Sequence, residues 1–291
     1  MFYWIYDIPL AALGVLFVVV FLALSSVGVL LSRSLVHKLF VEEEGWREHV
    51  MITLEGAFVF FGLLLALVTI AVYGNFAEAR ARVSAEASEL SALYRNVSGY
   101  PEPLRSELHE RIREYTEYVV REAWPQQAHG LVPRGGVSRI NALEDLLFSY
   151  EPASQGQNAL HSATLFKFND FAKARRERLH AVTVALPAAL WWVLICGALI
   201  NIGLSCLLPV KSTEGHLLLS GAFATVIALI LFVTAAMDHP FRGSFSVGPE
   251  AFETVLHDVM GVASERAGSM EPAGINRSPP DRGGSGARNT I

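Results

Sequence analysis

The chain has 291 residues, of which 52% are hydrophobic and 18% charged, with a net charge of −5. A soluble domain carries about 25% charged residues, and the deficit here sits in four apolar runs. The small charge of mixed sign excludes binding to nucleic acid through a basic surface. The absence of a metal-spaced His/Cys cluster, a phosphate loop or a nucleophile elbow argues against an enzyme and gives no cofactor to expect.

The runs are Ile8–Leu31, Met51–Tyr73, Val182–Leu208 and Leu217–Ala236. Each is long enough, at 1.5 Å per helical residue, to cross a hydrocarbon core of about 30 Å. The predicted fold is an all-α membrane protein with four transmembrane helices in a 2+2 arrangement. Membrane halves 1–74 and 182–260 flank a helical domain at 75–181, and residues 261–291, rich in Gly, Ser, Pro and Arg, read as a disordered tail. The leader has no Lys or Arg, and Tyr3, Trp4 and Tyr6 read as an interfacial aromatic anchor rather than part of a signal peptide. Cys196 and Cys206 lie in one run, about 15 Å apart along a helix, and read as packing residues.

In the first run, Gly14, Ser25, Ser26 and Gly28 would let neighbouring helices approach closely. Beyond the second run, Phe76, Val83, Ala87, Leu90, Tyr94 and Val97 recur at helical spacing and predict an amphipathic continuation that ends at Ser98–Pro101. Leu104, Leu108, Ile112, Tyr115 and Val119 mark a further helix, closed by Trp124-Pro125. Ile140, Leu143 and Leu147 mark another, broken between Pro152 and Gly156. Leu160, Leu165, Phe168 and Phe171 mark the last, predicted to run through Lys173, Arg175, Arg176 and Arg178 into the third span. That basic group is expected to face anionic lipid. Glu107, Glu110, Glu114 and Glu117 are interleaved with Arg111, Arg113 and Arg121 as a solvated face.

With four spans, both termini and the helical domain share one side. Eight basic residues flank the spans there (Arg80, Arg82, Lys167, Lys173, Arg175, Arg176, Arg178 and Arg242), against four on the other side (Arg33, Lys38, Arg47 and Lys211). The positive-inside rule places the termini and the domain in the cytoplasm.

Several stretches, in order, resemble one family. They are Phe60-Phe61-Gly62 through Val68, Ala79-Arg80-Ala81, Leu93-Tyr94-Arg95, Leu186-Pro187 through Trp191-Trp192, Met237-Asp238-His239-Pro240-Phe241-Arg242-Gly243, and Val247 through Glu253. The chain resembles the bacterial bestrophin-like proteins over about residues 10–260 and, more distantly, the bestrophin anion channels. The resemblance implies a bacterial inner-membrane protein, a homo-oligomer that is a pentamer by analogy, and passive movement of small ions with span two at the axis. In bestrophins a segment related to Asp238, Pro240, Phe241 and Gly243 leads into an acidic run that helps to hold calcium. No acidic run follows here, which argues against calcium control.

On span two, Glu55, Phe58, Gly62, Leu65 and Thr69 share a helical face, with Phe61 beside it; these are the candidate pore-lining residues. The alternative is that the aromatics pack against spans one and three. A ring of Glu55 carboxylates would favour cations, against the anion preference that the resemblance implies, whereas at the membrane boundary Glu55 would only meet headgroup water. Asp238 reads either as a vestibule charge or clasp between subunits, or as a helix stop paired with Arg242. Asn201 reads as a hydrogen-bonding residue between helices. A second functional reading is a non-conducting membrane scaffold or sensor whose cytoplasmic helices bind a partner protein.

Overall fold

The computed structural model describes residues 3–39, 46–208, 210 and 212–261. Among them, every regular element is helical. After a 3-10 turn at Tyr3–Asp7 come α1 (Leu10–Leu39), α2 (Trp46–Val97), α3 (Leu104–Tyr118), a π turn (Val119–Ala123), α4 (Trp124–Ala128), α5 (Gly136–Phe148), α6 (Gln155–Ala181), α7 (Ala188–Cys206), α8 (Thr213–Met237), α9 (Glu250–Thr254) and a π turn to Gly261. The acidic stretch Glu42–Glu44 and, apart from Gly261, the tail predicted at 261–291 lie outside the described residues.

Four helices are long and apolar enough to cross a membrane: Leu10–Ser32 of α1, the first part of α2, α7 and α8. One core joins them, built on Leu13, Val29, Leu65, Val68, Leu194, Ala198, Ile227 and Leu231. Close approach depends on glycine. A Cβ on Gly197 would meet the Phe61 ring at 2.6 Å, and one on Gly28 would meet Cys206 Sγ at 2.7 Å. Gly197→Ile should therefore destabilise the α2–α7 contact by about 1–3 kcal/mol through overpacking, readable as a lower midpoint in detergent unfolding. Gly203 has open space at its Cβ position, so the same substitution there should leave the midpoint unchanged.

At 52 residues, α2 is about 78 Å long and belongs to two cores. Its distal half supplies Val83, Ala87, Leu90, Tyr94 and Val97 to a bundle completed by Leu108, Ile112 and Tyr115 of α3, Leu143 and Leu147 of α5, and Phe168 and Phe171 of α6. These are the stripes expected from the sequence. The chain after α8 returns to this bundle, where Phe241, Val247 and Phe252 are buried.

Two boundaries differ from expectation. The helix does not stop at Trp124-Pro125. The π turn and α4 carry it on to Ala128, with Pro125 in α4's first turn, where its missing N–H is tolerated. Nor does α6 run into the third span: it ends at Ala181, and α7 starts at Ala188 behind Pro187, whose ψ of 137° is extended. The proline ring disfavours helix at the residue before it, so the membrane half begins about six residues later than predicted.

His109 of α3 stacks on Tyr94 at 4.3 Å, and its Nε2 lies 3.1 Å from the Tyr94 carbonyl. Burial holds its pKa below the usual 6.5. The unfolded chain thus binds a proton that the folded chain resists, so stability is complete above the unfolded value and declines as pH falls through about 6.5. His109→Gln should flatten that slope between pH 7 and 5 in thermal unfolding.

Candidate functional site

The face of α2 that the subunit leaves open is the candidate site. The expected pore residues separate into two groups. Phe61 and Leu65 are buried, Phe58 stacks on Phe223 of α8 at 4.0 Å, and the Thr69 hydroxyl meets that of Thr234 on α8 at 2.8 Å. All four face other helices of the subunit: Phe61 meets span three, as the packing alternative has it, whereas Phe58 meets span four rather than span one or three. Their partners on α7 and α8 explain why: the glycine at position 197 opens a seat for the Phe61 ring, and a hydroxyl in an apolar layer is stable when it finds another. Glu55 and Gly62 are exposed.

Opposite the buried side, Ile52, Val59, Leu63 and Ile70 are exposed at 58–67%. With Gly56 and Ala66 they form one stripe at steps of three and four. Beyond the adjoining backbone of α2 itself, nothing lies within 4 Å of a Cβ placed on Gly56 or Gly74. The stripe continues past the apolar section as Ala77, Ala81, Ser84 and Ser88, all exposed. One face of a single helix is thus uncovered from the membrane section into the bundle, with large apolar residues in the first part and small ones in the second.

Behind this face a buried charge pair fixes the distal half of α2. Arg178 of α6 donates from Nε and Nη2 to the Glu86 carboxylate, the second bond measuring 3.2 Å, and from Nη1 to Gln127 Oε1 at 2.8 Å. The Tyr115 hydroxyl donates to Glu86 at 2.7 Å. The guanidinium lies 5.5 Å from the ring centres of Trp124 and Phe252. Burial is the largest single influence on Arg178 and would lower its pKa, but the Glu86 charge, Tyr115 and the hydrogen bonds to them together outweigh it, and the guanidinium is held above its usual value. Burial, reinforced by the same carboxylate, pushes the Tyr115 hydroxyl up, so it acts as a neutral donor. This corrects the expectation that Arg178 faces lipid. Arg175 is half-buried, and Lys173 and Arg176 remain exposed.

Asp238 is buried and accepts from the Leu186 N–H at 2.6 Å and from Trp191 Nε1 at 3.0 Å. It ties the end of α8 to the start of α7 within one subunit. Pro240 and Phe241 are buried behind it, and Gly243 has a φ of 80° where the chain passes Tyr6. Asn201, expected to bond between helices, instead donates to Gly197 O within α7 at 2.8 Å.

The fold and the four apolar helices define an all-helical membrane protein with one helix shared between its membrane section and a helical bundle. A Bestrophin-like domain model matches residues 19–252, and the chain belongs to the bestrophin-like family. Three solved structures share the fold. A bacterial bestrophin homologue from Klebsiella pneumoniae has a TM-score of 0.64 at 14% identity, over 85% of this chain and 98% of that one. A mutant of a Klebsiella pneumoniae homologue has a TM-score of 0.66 at 12% identity, over 86% and 98%. A crystal structure titled only as a membrane protein gives 0.65 at 13%, over 85% and 98%. No curated protein matches the chain.

Proposed function

We propose that copies of this chain assemble into a ring in a bacterial inner membrane and form a passive ion channel whose wall is the open face of α2. The observation that carries this reading is the continuity of that face. A surface meant only for lipid has no reason to stay uncovered and small along Ala77, Ala81, Ser84 and Ser88, beyond the apolar section. A wall shared by a narrow neck and a wider vestibule has that reason. The large apolar side chains Val59, Leu63 and Ile70 would form the neck, where apolar rings gate by dewetting. Glu55 and Gly62 stand at the edge of the same face. Glu55 stands near the start of the span, and a carboxylate pointing out of the subunit there needs water beside it, which a pore mouth supplies. Phe58, Phe61, Leu65 and Thr69 would support the wall from behind.

The excess of basic residues on one side of the spans supports a cytoplasmic bundle and cytoplasmic termini, with Lys173 and Arg176 as the outward members of the basic group. Anion or cation preference follows from whether the bestrophin likeness or a Glu55 ring dominates. The scaffold reading has one observation in its favour, the exposure of Phe148 and Phe166 on the bundle. The two readings separate in proteoliposomes. The channel account predicts a particle of several copies that dissipates a salt gradient without nucleotide. A monodisperse assembly that holds the gradient would favour the scaffold.

A further inference from the structure

Between α1, α7 and α8 lies a crevice of about 390 Å³, within the range of ligand sites. Its walls include Leu16, Val20 and Leu24 of α1, Ile195 and Leu199 of α7, and Leu231 of α8. Polar side chains line it at one end only, where Tyr6, Asp238 and His239 meet beside Trp4. The Tyr6 hydroxyl bonds to the Ala235 carbonyl at 3.1 Å and its ring meets that of His239 edge-on at 4.9 Å, so this end is a packed structure.

All three walls are helices long and apolar enough to span a bilayer, which puts the crevice at hydrocarbon depth and its polar end at the end of α8. From Leu16 to Leu24 the wall extends about 12 Å along the helix axis. Leu16, Val20, Leu24 and Leu199 are exposed, so the slot opens sideways to the surroundings of the subunit. Water would find no hydrogen-bond partners along those walls. A slot that is apolar along its length and polar at one end fits a hydrocarbon chain with an attached polar head.

We propose that this crevice binds an acyl chain of a bilayer phospholipid, with its headgroup at the level of Asp238 and His239. The chain lies along α1 against Trp191, next to the Asp238 junction that joins α7 to α8. This holds whether or not the assembly conducts ions.

The test compares phospholipid retained after detergent washing, measured by mass spectrometry, in wild-type protein, in the slot-filling Val20→Trp/Leu199→Trp variant and in a Val27→Trp control. Val20, Leu199 and Val27 are all exposed. Wild type and control should retain phospholipid, and the slot-filled variant about tenfold less, equivalent to about 1.4 kcal/mol. Equal retention in all three overturns the proposal, as does recovery of free fatty acid in place of phospholipid. Loss of oligomer mass in the slot-filled variant alone would make the slot an interface between copies and also overturn it. Independently of folding in any filled variant, brominated-chain phosphatidylcholine should quench the Trp191 component of fluorescence, taken as wild type minus Trp191→Phe. Absence of that quenching contradicts the site.

Discussion

Arg178→Met should destabilise the bundle by about 3–5 kcal/mol, because it leaves the buried Glu86 carboxylate without its cation. Glu86 would keep the Tyr115 hydroxyl as a donor, which is too little for a charge removed from water. The expected result is a large drop in unfolding midpoint in detergent, with loss of folded yield. The double variant Glu86→Leu/Arg178→Met removes both charges and should recover much of the loss, since apolar replacement of a whole buried pair is often neutral or stabilising. If the single variant matched wild type, the pair would not hold α2 to α6.

Leu63→Ser should increase ion flux. In a ring, one substitution places a hydroxyl on every subunit at the same level of the apolar neck, where wetting opposes closure. A gain on the order of tenfold in single-channel current or open probability corresponds to about 1.4 kcal/mol off the barrier. Leu65→Ser, two residues away on the buried side, should instead lower stability with little gain in flux. An unchanged current in Leu63→Ser would move the constriction off this face.

The difference between these two leucines shows what the sequence can and cannot reveal. In the distal half of α2 the apolar residues are few, and Val83, Ala87, Leu90, Tyr94 and Val97 mark the buried face unambiguously. In the membrane section every side of the helix is apolar. Periodicity therefore gives the span but not its rotation, and Phe61 and Leu65 look as suited to a pore as Leu63. The missing information lies in the partners: Gly197 faces Phe61 from 136 residues away, and Thr234 meets Thr69 from 165 away. For Arg178 the reason is the opposite. It sits among exposed basic residues, yet its spacing from Phe171, Ala174 and Ala181 places it on the buried stripe of α6. Glu86 likewise falls between Val83 and Leu90. A charge on each of two apolar stripes is a sequence signal for a buried pair. Asp238 stands at the end of α8, but its partners Leu186 and Trp191 lie across the break before α7, and that pairing is hidden when α6 and the third span are read as one helix.

The most direct test of the channel account is charged thiol reagent applied to single cysteines during planar-bilayer recording, in a Cys196→Ala background because the native Cys196 is exposed and Cys206 is buried. The account predicts a stable ion current that falls when Leu63→Cys is modified and is unaffected in Leu65→Cys. An intact oligomer that carries no current, or a current that responds at position 65 and not at 63, would contradict it.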